Sequence, residues 1–357
     1  MNGIDYMIVS NPPLKLLVVQ RVSLSHSSLK SRSIGARFVP LLNYMQRKGL
    51  ILWRAMLETK INSTDLKEYQ AILLNKHTSA KGIDLIKAAK DVGVRTIYDL
   101  DDWILELPSY SVTNLDEDTL ANIVQMIRLS DATTVSNLVL KNKLKYLRSD
   151  AVVLKNGFDH EEMPIDPSLC QEVAPPRILF SNTDDIKLIS HRGAFINQVI
   201  QFLELFPEVK LDFWGDHFHE LGRIPRVCER GFNPNKAYKE CIKEQGYIFA
   251  VVPLGGQEDP DSLFFNSCKS CIKYIDYGSL GIPAIYSDTP VYSQVIQNGV
   301  NGLLVKNEGL NWLSAMVTMY QSSTLRHNIR LAAHKDCTAN HGFTESAHKF
   351  LCVVQGH

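Results

Sequence analysis

Short runs of aliphatic residues alternate along the chain with longer stretches in which apolar positions recur every three or four residues. Residues 14–20 (LKLLVVQ) read as a buried strand, 23–35 as a polar loop, and Phe38, Leu41, Leu42 and Met45 as one face of a helix. The alternation continues with strands at 71–74, 95–98, 132–135 and 151–154 and helices near 83–92 and 120–129. Residues 161–176 hold four prolines and little periodicity, and read as a linker. A second cycle follows: a strand at 178–180, then a helix marked by Ile196, Val199, Ile200, Leu203 and Phe206. Further strands fall at 209–213, closing at Gly215, and at 247–253, 282–287 and 302–305. Strands separated by helices imply parallel, doubly wound sheets. The last two helices, near 325–337 and 345–354, have no strand left to pair with, so the tail is expected to cross back onto the first unit. The expected fold is α/β, with two Rossmann-like units facing across a cleft. Its parts are an N-terminal unit (1–160), the linker (161–176), a second unit (177–337) and a terminal helix within 338–357.

At 357 residues the chain exceeds what one hydrophobic core usually serves, and 45% apolar residues suffice for two. Lys plus Arg equals Asp plus Glu at 38 each, which removes the positive field a nucleic-acid binder uses to collect phosphates. Nucleic acid is therefore not an expected partner. The seven cysteines are odd in number, scattered, and placed in strands and helices, the usage of a reduced cytoplasmic protein. The apolar run at the first strand is too short to span a bilayer and lacks a small-residue cleavage site, so no membrane or secretory segment is expected.

The stretch 265–305 carries the most chemistry. It reads as a helix starting near Asn266, a stop at Gly281, a buried strand, a short helix and another strand. On that helix Lys269, Lys273 and Asp276 stand at i, i+4 and i+7 and share a face. The helix N-terminus, with Lys269 and Ser270, would suit a diphosphate, and Asp276 would accept from ribose hydroxyls. The competing reading is a solvated helix face.

This stretch resembles the donor-binding segment of glycosyltransferase family 4, in particular bacterial surface-polysaccharide members with the pattern FN-x-x-KS-x-IK-x-x-EY-x-x-x-GIP. Three further segments match in order. LKNGFD at 154–159 is similar to the PNG-x-D that closes the first domain. WGD at 214–216 is similar to the glycine ending an early second-domain strand, and IYDLDDW at 97–103 to a DIDD segment. The resemblance implies a GT-B fold and transfer of a sugar, with retention, from a nucleoside-diphosphate sugar to a glycan or lipid-linked glycan acceptor. It also implies a place in surface polysaccharide synthesis (O-antigen, lipopolysaccharide or capsule), with no metal and no cofactor beyond the co-substrate. Family members carry two glutamates with seven residues between them; here Cys268 and Asp276 occupy those positions, so the sugar contact passes to Phe265, Asn266 or Ser267.

Further candidates follow from position. Asp99, Asp101 and Asp102 end a strand at the cleft; Asp101 or Asp102 would act as base or orient the acceptor, or would cap the next turn. Lys269 would stabilise the departing diphosphate together with Lys187, Arg192 or Arg230. In the loop entering the first helix, Gly35 and Arg37 are acceptor-side candidates, and so is His77, which follows a strand end beside Lys76. Cys268 and Cys271 form a C-x-x-C without a second pair, and His217 and His219 an H-x-H without partners, so neither is expected to hold metal. The basic segment 141–148 would allow peripheral contact with the inner face of a plasma membrane, or is a solvated helix. Two rivals remain. One is a non-catalytic nucleotide- or carbohydrate-binding protein on the same scaffold, which loss of the first carboxylate permits. The other is a nucleotide-sugar epimerase or dehydrogenase, which would need a G-x-G-x-x-G that the chain lacks.

Overall fold

The computed structural model describes residues 12–21, 32–108, 111, 115–182, 192–215, 221–231, 235–255 and 260–357. The first sheet is built from β1 (Leu14–Gln20), β2 (Ile51–Leu57), β3 (Ala71–Asn75), β4 (Arg95–Leu100), β5 (Ala132–Val135) and β6 (Val152–Val153). Between them run α1 (Arg32–Arg47), α2 (Ser63–Leu66), α3 (Ala80–Asp91), α4 (Glu117–Leu129) and α5 (Leu138–Leu144). All pairings are parallel, in the order β2-β1-β3-β4-β5-β6.

The second sheet contains β7 (Arg177–Ser181), β8 (Lys210–Trp214), β9 (Val227–Glu229), β10 (Phe249–Val252), β11 (Ala284–Ser287) and β12 (Leu303–Val305). Its helices are α6 (Arg192–Leu205), α7 (Asn235–Glu244), α8 (Pro260–Ser267), α9 (Ile272–Ser279), α10 (Pro290–Ser293), α11 (Asn311–Gln321), α12 (Ser323–Asn340) and α13 (Phe343–Gln355). The order is β12-β11-β10-β7-β8-β9, again all parallel. Strand order reverses between β1 and β3 in one sheet and between β7 and β10 in the other. Those are the places where an open parallel sheet leaves a crevice outside its C-terminal edge.

Two strands that periodicity did not mark, β2 and β9, both lie at a sheet edge. Their outer sides are exposed, so polar residues such as Arg54 and Glu229 interrupt the apolar run that marks an inner strand. Gly215 has a steric reason: a Cβ there would lie 1.7 Å from the Asn182 carbonyl oxygen, where the chain leaving β7 crosses the end of β8. Gly281 ends the α9 segment with φ of +67°, a conformation that favours glycine.

The final helix α13 leaves the second sheet and packs on the first. Phe350 packs on Phe38 of α1 with tilted rings and centroids 5.5 Å apart, the Phe343 and Tyr44 centroids are 5.9 Å apart, and Arg95 Nε donates to the Val353 carbonyl (2.7 Å). Phe343, Ala347, Phe350, Leu351, Val353 and Val354 thereby join the core made by Leu16, Val18, Phe38 and Ile97. Phe350 is fully buried, so Phe350→Ala is expected to cost about 3–5 kcal/mol, read as a lower midpoint in urea denaturation.

Candidate active site between the sheet edges

The C-terminal edges of the two sheets meet, joined by polar contacts and by Phe264 packed on Trp103. On the first sheet the organising group is Asp99, near the end of β4 and wholly buried. Its carboxylate accepts two bonds from Arg37 Nε (3.1 and 3.0 Å), one from Arg37 Nη2 (2.9 Å), one from Asn75 Nδ2 (2.9 Å) and one from Thr134 Oγ1 (2.5 Å). Arg37 Nη1 also donates to the Leu154 carbonyl (2.7 Å) and to Asn156 Oδ1 (2.9 Å). Buried charge persists only when paired and fully hydrogen-bonded, and this pair meets the condition from α1, β3, β4, β5 and the chain after β6. Asp99 and Arg37 are thus occupied in holding the first sheet's edge.

The solvent side of that edge carries a second cluster. Lys76 Nζ lies 3.0 Å from both Asp101 Oδ1 and Asp102 Oδ2, and Asn75 Nδ2 also donates to Asp101 (3.2 Å). Burial lowers the Lys76 pKa, but the Asp101 and Asp102 carboxylates outweigh it and hold the ammonium above its ordinary value. Lys76 has φ of +47°, uncommon for a side-chain-bearing residue, and Arg21 Nη1 donates to its carbonyl (2.9 Å). His77, next along, is turned inward and fully buried, with Glu58 Oε2 3.9 Å from Nε2, beyond hydrogen-bond reach. Burial, and then the charge of Arg21, push its pKa down to about 3, so its imidazole is neutral.

On the second sheet the local structure corrects the sequence reading. No helix starts near Asn266: α8 ends at Ser267, and α9 begins only at Ile272. Asn266 lies near the end of α8, and its Nδ2 donates to the Gly255 carbonyl (2.6 Å) beyond β10. The Ser267 hydroxyl donates back to the Phe264 carbonyl (2.6 Å), a bond that finishes a helix. Lys269, Lys273 and Asp276 consequently do not share one helical face. Lys269 reaches across the seam, its Nζ 3.5 Å from Asp102 Oδ1 and 4.5 Å from the Phe265 ring centroid. Lys273 Nζ donates to Ser181 Oγ at the end of β7 (2.8 Å) and lies over the rings of Tyr238 and Tyr277. Asp276 faces α7, with Oδ1 2.6 Å from Lys239 Nζ and both side chains buried.

The remaining candidates fall as follows. Ser270 accepts a hydrogen bond from Asn156 Nδ2 (2.7 Å). Gly35 and Arg37 lie inside α1, which starts at Arg32, and not in a loop before it. Arg230 follows β9, where its Nη2 pairs with buried Asp212 (3.0 Å); Arg177 and Tyr247 share that carboxylate. Cys268 is buried among first-sheet core residues; burial, and then Asp102, push its thiol up to about 12. Lys187, His217, His219 and the loop at 23–31 lie outside the described residues. Among the described residues no three His, Cys, Asp or Glu side chains gather as metal ligands.

Sequence reasoning passed over Asn75, Asn137, Asn156, Ser181 and Lys239. Two carried a signal. Asn137 precedes the apolar run of α5 as an N-cap does, and Asn156 sits in the LKNGFD segment.

No protein-family model matches the chain, and no curated protein matches it either. Solved structures do. HepE of Anabaena in complex with UDP and glucose is 12% identical at a TM-score of 0.65, over 96% of this chain and 100% of that one. A glycosyltransferase from Rickettsia africae is 11% identical at a TM-score of 0.60, over 97% and 99%. Sucrose-phosphate synthase from Thermosynechococcus elongatus is 10% identical at a TM-score of 0.61, over 96% and 99%. At such identities the likeness speaks for the fold, and the fold is GT-B: two parallel six-stranded sheets, edge to edge, with the last helix returned to the first.

Two outcomes are expected. Asp99→Ala leaves the Arg37 guanidinium buried without its counter-charge and should lower unfolding free energy by about 3–5 kcal/mol in urea titration. His77 is depressed from about 6.5 in the unfolded chain to about 3 in the fold. Between those values the unfolded state binds the extra proton. His77 therefore gives full stability above pH of about 6.5, and it is lost as pH falls toward 3. His77→Gln should remove up to about 1.4 kcal/mol per pH unit of slope in that window, measured by denaturation at stepped pH.

Proposed function

We propose that this protein is a glycosyltransferase that takes a sugar from a nucleoside-diphosphate sugar and passes it, with retention, to a glycan or lipid-linked glycan acceptor. The observation that carries the reading is the meeting of Lys269 with Asp102. At this contact a cation next to the second sheet's switch point touches a carboxylate cluster at the end of β4. A diphosphate at the β7 and β10 ends would meet Lys273 and Lys269, together with the amide groups of the uncapped α9 N-terminus. Charge builds on that diphosphate as the sugar leaves, and cations already fixed beside it favour the transition state over the ground state. Asp101 or Asp102 would orient the acceptor hydroxyl, with Lys76 holding both carboxylates in place. Asp276 would approach the ribose only together with Lys239, its ion-pair partner.

HepE of Anabaena binds UDP and UDP-glucose, which supports UDP as the first nucleotide to try. No metal is assigned to the reaction. Surface polysaccharide synthesis remains the setting that the resemblance of 265–305 implies, with the protein in the cytoplasm. No described helix is long and apolar enough to cross a membrane. Peripheral contact with an anionic membrane rests on α5 and the residues after it, where Leu138 and Tyr146 are 62% and 85% exposed beside Lys141 and Lys145.

One observation favours the non-catalytic alternative: the position where the family carries its first glutamate holds Cys268, buried and protonated at neutral pH. The two readings separate in one experiment. UDP should raise the melting temperature, Lys269→Ala and Lys273→Ala should each weaken its binding about tenfold, and UDP-sugar should be turned over in the presence of glycan acceptor. Binding without turnover, transfer or hydrolysis would leave the binding protein; no shift with UDP, GDP, dTDP or CMP derivatives at millimolar concentration would sink the transferase and any nucleotide-binding reading.

A further inference from the structure

The loop Cys268–Ser270, which carries Lys269 into the seam, is tied to the first sheet by two asparagines. Asn137 follows β5. Its Oδ1 accepts from the Leu140 N–H (2.9 Å) and caps α5, while its Nδ2 donates to the carbonyls of Cys268 (2.7 Å) and Lys269 (3.1 Å). Asn156 follows β6. Its Oδ1 accepts from Arg37 Nη1 (2.9 Å), and its Nδ2 donates to Ser270 Oγ (2.7 Å). In each amide the oxygen faces the first sheet's own donors, so the nitrogen has to face the loop. The orientation is fixed by partner chemistry, since neither an N–H nor a guanidinium can accept. Aspartate would fit the same volume and keep the first-sheet bond, but an ionised carboxylate has nothing to donate to a carbonyl.

We propose that Asn137 and Asn156 are positioning residues that place the Cys268–Ser270 loop, and with it Lys269 and the start of α9, for nucleotide binding. The inference rests on the transferase reading for its ligand. The clamp runs through Asn156 and Arg37 to Asp99, so the groups that hold the acceptor-side edge also set where the diphosphate-side cation stands. Neither asparagine needs to touch a substrate to do this.

The test uses the full chain with UDP as probe. Asn137→Asp is expected to weaken UDP binding about tenfold by calorimetry, the size of one to two lost hydrogen bonds, and to speed amide exchange at 268–273 while α5 keeps its protection. Ser270→Ala should do likewise, and Ser270→Thr, which keeps a hydroxyl for Asn156, should restore affinity to within about twofold. Should Asn137→Asp prove too disruptive to fold, Asn137→Ser retains the cap but falls short of the loop, and the same outcomes apply. UDP affinity within about twofold of the unaltered protein in Asn137→Asp, or weakened affinity with unchanged exchange at 268–273, overturns the proposal. If UDP does not bind the unaltered protein, the transferase reading fails on its own, and exchange alone decides the clamp: unchanged protection at 268–273 in Asn137→Asp refutes it.

Discussion

A parallel sheet gathers the C-terminal ends of its strands at one edge and leaves their last polar groups to find partners there. In the first sheet the solution is the ion pair of Arg37 and Asp99, which draws α1, β3, β4, β5 and the chain after β6 to one buried point. Taking two charges out of water is costly, and the cost is offset only because every polar atom of the pair's contact surface finds a partner. The outward-facing groups of the same edge, Lys76, Asp101 and Asp102, stand on that support. Chemistry and scaffold are therefore separated by Leu100 at the end of β4: Asp99 points in and holds, while Asp101 and Asp102, just past the strand, carry Lys76 and Lys269.

The fold was largely legible because parallel strands buried on both faces write continuous apolar runs, as in LKLLVVQ and AILLN. Edge strands do not write such runs, which is why ILWRAML and VCE escaped notice. The return of α13 was legible too, from an apolar helix with no strand left to cover it.

The site was less legible, for a local reason. Asn266 and Ser267 have the residue types of a helix start, and spacing alone cannot tell a cap that opens a helix from side chains that close one. Here both close α8, the Asn266 amide nitrogen donating to the Gly255 carbonyl and the Ser267 hydroxyl to that of Phe264. The same limit applies to charge. Arg37, Arg230 and Asp276 look like ligand-binding residues in a string of letters, yet each meets an opposite charge from a distant element: Asp99, Asp212 and Lys239. Two of the groups that bridge the two sheets, Asn137 and Asn156, are asparagines, whose value lies in presenting a donor and an acceptor at once. No charge or hydrophobic pattern advertises that property.

The return of α13 has a consequence for biosynthesis. The first sheet is complete as a set of strands once β6 has been made, but the face covered by Phe343, Phe350 and Val354 stays bare until the last helix has left the ribosome. At ordinary translation speeds that interval is roughly 10–40 s. A nascent chain thus carries this apolar face uncovered from the time β6 is made until α13 has followed it.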